Sequence, residues 1–248
     1  MKLIQLNIWQ GRLLTNLNKL LDREKPDILC LQEAFTAEQM VATPERLFNS
    51  LDLVQERAGL PYRFFSPTFS STYSGVPASF GNAVLSRQPI KDMKTVFTGG
   101  NYVPDYNPST FDINIRNLQL ARITVNGIDL TIANHHAHWV IDPLGDETSV
   151  EKMHIVKTEL SSVHGPLVFS GDLNVKSESP AMRVFDGMLE DLTASHHVDS
   201  TLSTAGKVTG VACDHILISP DIVVDRFEVL DDLASDHLAL LLDFSIKK

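Results

Sequence analysis

The sequence predicts an α/β protein in which mixed sheets carry helices on their outer faces. Three observations predict it. Both ends of the chain read as strand–helix–strand units, the middle reads as antiparallel hairpins, and the strands end in polar residues.

The elements follow in order. Residues 2–8 (KLIQLNI) read as a strand. Leu13, Leu14, Leu17, Leu20 and Leu21 form a helical stripe over 13–25, which Pro26 stops. Residues 27–33 (DILCLQE) form a second apolar strand that ends in a carboxylate. The segment 44–59 is an amphipathic helix closed by Gly59. Strands follow at 82–87, 92–98, 117–127 and 128–139, and Asn126-Gly127 between the last two is a hairpin signal. A helix over 146–165 ends at Gly165-Pro166. A strand from Pro166, a helix near 178–189 and strands at 214–219, 223–230 and 237–245 complete the chain. The stretch 98–114, with Gly, Pro, Asn and three aromatics, is expected to be a long functional or mobile loop.

Composition narrows the function before any motif does. At 248 residues and 43% hydrophobic, the chain can bury a large core as one α/β domain or two small ones. No linker, composition break or low-complexity segment divides it, so one domain over 1–248 is expected. A net charge of −10 and a pI near 5.3 give no global positive field for polyanions. A phosphate-rich substrate must then be met by a local site or a bound cation. Cys30 and Cys213 lie in apolar strands and read as reduced, buried thiols. Gln5, Asn7 and Gln10 interrupt the N-terminus too early for the apolar core of a signal peptide, and no apolar run approaches the ~20 residues of a membrane span. A soluble, cytoplasmic protein is the expectation.

The segment PLVFSGDLNVKS (166–177) shows the recurring design. An apolar strand runs to Gly171 and then presents Asp172 and Asn174. Asn7 sits in the first strand, Glu33 ends the second, and His136 lies at the end of the strand containing NHHAH. Asp214 opens a later strand, and Asp236-His237 stand directly before another. One such residue alone is a turn cap; their repetition marks groups able to bind metal or move a proton. His135, His136 and His138 also raise zinc, since His136 and His138 share one strand face. No cysteine or further histidine joins them in a ligand spacing.

LNIW, LQE, GNAVLSR, NHHAH (for the usual Asn-Thr-His-Leu), GDLN, CDHILIS and SDH stand in the order and at the separations of a known family. Over residues 2–243 the chain resembles the endonuclease/exonuclease/phosphatase superfamily. Its members include pancreatic-type deoxyribonucleases, abasic-site endonucleases, inositol-polyphosphate 5-phosphatases and neutral sphingomyelinases. The resemblance implies a four-layer α/β/β/α sandwich of the DNase I-like type. It also implies hydrolysis of a phosphoester by in-line attack of water, with Mg²⁺ or Mn²⁺ as cofactor. Glu33 would be the main metal ligand, with Asn7 and Asp236 close to the ion. Asp172 would be the general base and, with Asn174, would hold the attacking water and a phosphate oxygen. His237 would bind or protonate a non-bridging oxygen, and Asp214 would orient it. His136 would face the phosphate from the other side, and Arg116, which also reads as a surface strand residue, would add a fixed positive charge. Gly171 is expected to permit a tight exit that aims Asp172.

Departures from the family pattern bear on the substrate. Trp9 stands where abasic-site enzymes carry an acidic residue, and Ala212-Cys213 stand where many members have Arg before the strand aspartate. Lys and Arg are scattered, without the basic stripe of a duplex binder. The expectation is a monomeric or weakly dimeric phosphoesterase acting on a phosphodiester in a nucleotide or nucleic acid, with no membrane span and long duplex disfavoured. Two alternatives stand beside it: a phosphatase on a soluble or lipid-derived phosphomonoester, and a non-catalytic binding protein on the same fold.

Overall fold

The protein is described from a computed structural model, which covers residues 1–40, 42–43, 46–107 and 114–247. β1 (Lys2–Asn7) passes through α1 (Leu14–Glu24) to β2 (Ile28–Ala37), which lies parallel to β1. A short pair, β3 (Ala42–Thr43) and β4 (Arg46–Leu47), precedes α2 (Ser50–Ala58), which Gly59 closes in the left-handed region. The hairpin β5 (Tyr62–Tyr73) and β6 (Val76–Ser86) turns at Ser74-Gly75, and β7 (Ile90–Gly99) leads towards β8 (Arg116–Val125). Asn126-Gly127, with φ of 51° and 82°, makes the expected tight turn into β9 (Ile128–His136). Then follow α3 (Glu147–Ser161), capped by Asp146, β10 (Leu167–Asp172) and α4 (Pro180–Arg183). The chain ends through β11 (Glu190–Asp191), α5 (Leu192–Ser195), β12 (Asp214–Ile218), β13 (Ile222–Val229) and β14 (Leu240–Ile246).

Two six-stranded mixed sheets result, ordered β13-β14-β1-β2-β6-β5 and β11-β12-β10-β9-β8-β7. Each is built around one parallel pair joined by a helix, β1/β2 and β9/β10, with antiparallel neighbours outside. α1 and α2 cover the outer face of the first sheet with Leu17, Leu20, Leu51 and Val54 on Ile4, Leu6, Leu29 and Leu31. α3 covers the second with Met153, Val156 and Leu160 on Leu167, Phe169 and Leu217. The sheets meet through Leu3, Ile28, Ile132, Val168, Ile216 and Leu240. This is the four-layer α/β/β/α sandwich. Each such buried aliphatic side chain contributes about 1.5–3 kcal/mol.

Between the sheets the packing changes character along the strands. Beside the apolar layer lies a belt of fully buried amides: Gln5, Gln32, Asn134, Gln119 and Asn117. Gln32 Nε2 donates to Asn134 Oδ1 (2.6 Å), Asn134 Nδ2 to Gln119 Oε1 (2.9 Å), and Gln119 Nε2 to Ser66 Oγ (3.1 Å). Asn134 also reaches the carbonyls of Leu31 and Ala83, so it ties two strands of the first sheet, β2 and β6, to β9 of the second.

Several elements differ from the sequence expectation. The helix expected over 44–59 starts only at Ser50, because Phe48 is drawn into an aromatic cluster, 4.9 Å from Phe35 and 4.1 Å from Tyr73; residues 44–45 lie outside the described residues. The strand expected at 82–87 begins at Val76, and its partner β5 was not expected at all; Pro67 sits at its bulge, on the sheet edge, where a missing N–H is tolerated. Within the 98–114 loop, Val103 exchanges backbone hydrogen bonds with Thr68 and Ser70, and Tyr106 stacks on Phe69; residues 108–113 lie outside the described residues. The helix expected near 178–189 is reduced to Pro180–Arg183, followed by turns with Gly187 at φ 75°. The strand expected over 128–139 ends at His136, so His138 lies beyond it, and the strand expected over 237–245 starts only at Leu240. Among the described residues no helix is long and apolar enough to cross a membrane.

Asn134→Ala would strand the Gln32 amide, Gln119 Oε1 and two carbonyls at once. Equilibrium denaturation should show a loss of about 3 kcal/mol or more; a loss below about 1 kcal/mol would mean the belt is dispensable.

Candidate active site

Parallel strands bring their carboxyl ends to one edge, and the candidate residues gather there. Asn7 ends β1, His136 ends β9 and Asp172 ends β10. Glu33 lies within β2 at a bulge against β6, with φ 55°, so the strand kinks and re-aims the carboxylate. Asn174 likewise has φ 58°. All five line one cavity of about 350 Å³ together with Arg116, Trp139 and His237.

Asp172 is the hub. It is 2% exposed, and its Oδ2 accepts from Asn7 Nδ2 at 3.0 Å, with His136 Nε2 at 3.5 Å and His237 Nε2 at 3.7 Å. Its Oδ1 accepts the backbone N–H of Asn174 at 3.1 Å, and Asn174 Nδ2 donates to the Ala137 carbonyl at 3.0 Å. Burial, with the Asp214 and Glu33 charges, pushes Asp172 up to about 6 against the pull of His237 and Asn7.

Asp214 sits behind this hub, wholly buried. Its Oδ2 lies 2.8 Å from His237 Nδ1 and accepts from Thr201 Oγ1 at 2.7 Å; its Oδ1 accepts from Gln5 Nε2 at 2.8 Å. Burial pulls the His237 imidazole down, but Asp214 and Asp172 outweigh it and hold His237 well above the usual histidine value, protonated. Asp214 is correspondingly held low: burial raises it, and His237 outweighs burial. His136 goes the other way. Burial, then Arg116 and His237, keep it neutral. His135 points into the other face of β9, with Nδ1 2.9 Å from the Asn117 carbonyl, and burial lowers it to about 4.

Asp236 does not line the first cavity. It lines a neighbouring one of about 790 Å³ with Trp9, Arg12, Ile141 and Val208, and the two cavities share Trp139, Asn174 and His237. Burial and the Glu33 charge raise Asp236 against His237, so the Glu33 carboxylate acts on both Asp236 and Asp172. Oxygen donors of like charge brought this near suit a hard divalent cation. A softer ion fits poorly. Among the described residues Asp172, Cys213 and His237 bring ligand atoms within 4.8 Å, but burial pushes the Cys213 thiol up to about 12 and His237 is protonated. The three histidines of NHHAH form no ligand group among the described residues.

Sequence reasoning missed Gln5 and Thr201, which donate to Asp214 beside His237. Gln5 had a signal, since it shares the Asn7 face of β1 at i, i+2; Thr201 lies in a stretch without periodicity. Gly171 was expected to shape a tight exit. The strand instead continues through Asp172, and Gly171 is required because β9 comes close: a Cβ there would lie 1.8 Å from the His135 carbonyl oxygen.

The sequence matches the model of the Endonuclease/Exonuclease/phosphatase family over residues 4–237. The chain belongs to the endonuclease/exonuclease/phosphatase family. Members of this family hydrolyse phosphoester bonds. Comparison with curated proteins gives no match. Among solved structures, an endonuclease/exonuclease/phosphatase from Beutenbergia cavernae is 20% identical with a TM-score of 0.75, covering 100% of this chain and 72% of that one. The mannosyl-6-phosphatase of Bacteroides thetaiotaomicron is 17% identical (TM-score 0.70; 99% and 100% covered). TDP2 of D. rerio, in complex with a single-strand DNA product, is 15% identical (TM-score 0.69; 99% and 98% covered). At these identities the likeness shows the family fold and not a shared substrate.

Gly171→Ala forces β9 and β10 apart beneath His136 and Asp172. Thermal and chemical denaturation should register about 3 kcal/mol or more of destabilisation, and an unchanged melting temperature would contradict the close approach.

Proposed function

We propose that the protein is a Mg²⁺- or Mn²⁺-dependent phosphodiesterase acting on a nucleotide or a short nucleic acid. The observation that carries the reading is Asp172, a buried carboxylate with an imidazolium 3.7 Å away and an amide donor on the same oxygen. Raised to about 6, it is ionised at neutral pH and still basic enough to accept a proton from water. In this reading Asp172 is the general base and Asn174 helps to hold the attacking water. His237, kept protonated by Asp214, donates to a non-bridging phosphate oxygen. Neutral His136 and the permanent charge of Arg116 meet the phosphate from the opposite wall. Glu33, Asn7 and Asp236 would hold the cation, which when bound supplies Lewis-acid stabilisation of the phosphate charge.

A diester is supported by the two cavities that meet at Asn174, Trp139 and His237, which leave room for a substituent on each side of the phosphorus. Exposed Trp139 offers a flat face on which a base can stack, and Arg12, 4.3 Å over the Trp9 ring, adds a cation beside it. The net charge of −10 favours a small substrate over long duplex. A phosphomonoesterase is the second reading, favoured by the likeness to a mannosyl-6-phosphatase along its full length.

Hydrolysis of bis-p-nitrophenyl phosphate against p-nitrophenyl phosphate, with Mg²⁺, Mn²⁺ or EDTA, separates these readings. The diester should be preferred and EDTA should abolish turnover. Asp172→Asn should lower kcat by about a hundredfold to ten-thousandfold, and Glu33→Gln should raise the metal concentration needed for half-maximal activity. Preference for the monoester would make the protein a phosphatase, and no turnover with any metal would leave a binding protein.

A further inference from the structure

Residue alternation along β12 places Asp214 inward, against the active site, and His215 outward, on the opposite face. His215 is completely buried and plays no part in the chemistry above. Its two ring nitrogens are both engaged. Nδ1 lies 3.0 Å from Asp191 Oδ2, and Nε2 lies 2.8 Å from the backbone carbonyl of Val175. Val175 is the residue after Asn174.

We propose that His215 and Asp191 form a positioning pair, clamping the 175–177 turn and thereby fixing Asn174 over Asp172. This assignment rests on the hydrolytic reading of the site. The pair grips the turn at two points: His215 holds the Val175 carbonyl, and Asp191 Oδ2 accepts the Ser177 hydroxyl at 2.9 Å. Asp191 is itself anchored by capping Thr193 N at 3.0 Å. At φ 58° Asn174 occupies the left-handed region, which asparagine adopts more readily than other non-glycine residues, and the direction of its side chain therefore depends on how the following turn is held.

The two partners of His215 fix its protonation state. A carbonyl and a carboxylate are both acceptors, so both ring nitrogens must carry hydrogen and the ring is an imidazolium. The charged groups acting on it are Asp191 from β11 and Asp214 from its own strand. Burial pulls His215 down, and Asp191 outweighs burial, so its titration moves above the ordinary histidine range. The sign follows: the clamp is complete at neutral pH and is lost as pH rises through the raised value. One ring nitrogen then turns a lone pair towards an acceptor, and the bond to Val175 is the one to fail, since the carboxylate retains the remaining proton more strongly.

Asp191→Asn separates the clamp from its charge. The asparagine Nδ2 carries two hydrogens, one for Nδ1 of a neutral His215, whose Nε2–H still serves Val175, and one for the Ser177 hydroxyl oxygen, which then accepts instead of donating, while Oδ1 keeps the cap on Thr193. Three measurements test the pair: ring ¹⁵N shifts of His215 by NMR between pH 6 and 10, kcat per folded molecule with bis-p-nitrophenyl phosphate, and melting temperature. In the wild type both ring nitrogens should read as protonated at pH 7. Asp191→Asn should give a neutral Nε2–H ring and keep kcat within about threefold. His215→Ala should lower kcat by about tenfold to hundredfold with KM little changed. Should His215→Ala fail to fold, the ring shifts and the Asn174 amide resonance decide: that resonance should move with His215 titration in the wild type and stay fixed in Asp191→Asn. A ring with one protonated nitrogen at pH 7, or full kcat in folded His215→Ala, overturns the proposal. Absence of any hydrolysis with a protonated ring and a coupled Asn174 resonance would refute the hydrolytic reading and leave the clamp standing.

Discussion

Asp172 and Asp214 are direct cross-strand partners on β10 and β12, and both are buried. Two like charges in such a position repel strongly unless something positive lies against them. His237 is that group, 2.8 Å from one carboxylate and 3.7 Å from the other. The rest of the site follows from this constraint. Asp214, supported by Gln5 and Thr201, takes the full negative charge and keeps His237 protonated. Asp172, on the less favoured side, is left with a raised pKa and is the group free to exchange a proton. The position of His237 is set by the chain before β14: His237 bridges Leu202, and Leu238 N–H donates to the Thr201 carbonyl at 2.7 Å. The same 201–202 segment therefore holds both members of the pair.

The interior between the sheets is graded to serve that pair. Read towards the site, β1 presents Leu3, Gln5 and Asn7; β9 presents Ile132, Asn134 and His136; β10 presents Val168, Ser170 and Asp172. Apolar packing gives way to neutral amides and a hydroxyl, and these give way to charged or ionisable groups. The grading removes a sharp boundary between dry core and ionised site, where an unsatisfied group costs most. Gln5 stands at the junction, donating to Gln32 Oε1 at 2.9 Å on one side and to Asp214 on the other. Of the nine non-glycine residues with positive φ among the described residues, four lie at this edge: Trp9, Gln10, Glu33 and Asn174. Strain of this sort persists only where rigid surroundings hold it, and the paired sheets provide them.

Much of this was legible in the sequence because the strongest signals lay in the parallel strands. Their apolar runs, with a polar terminus after each, gave the sheet centres and placed Asn7, His136, Asp172 and Asn174 at one edge. The edge strands were harder to read. β5 carries Pro67, several serines and two aromatics, Phe69 and Tyr73, that pack on Phe35 instead of the main core, so its period-two pattern is diluted. Phe48 broke an otherwise helical pattern through a tertiary contact, and α4 is cut short by turns that local periodicity does not reveal. At the site, residue types announced the chemistry but not its supports. A carboxylate next to a histidine in SDH is visible in sequence; that Asp214, 23 residues away, is the one that binds His237 was inferred from family resemblance and is a matter of strand pairing. Thr201 and the His215–Asp191 pair became visible only when the loop and β12 were folded against each other.

The central claim is that Asp214 and His237 act as one unit on a phosphoester activated at Asp172. The most direct test measures kcat with bis-p-nitrophenyl phosphate for Asp214→Asn, His237→Ala and the double variant, with thermal melts on each to count folded molecules. Each single variant should lose about a hundredfold to ten-thousandfold in kcat, and the double should lose little more than the worse single, since members of a coupled unit are not additive. Losses that multiply in the double variant, or an Asp214→Asn protein that melts early yet keeps full kcat per folded molecule, would contradict the account.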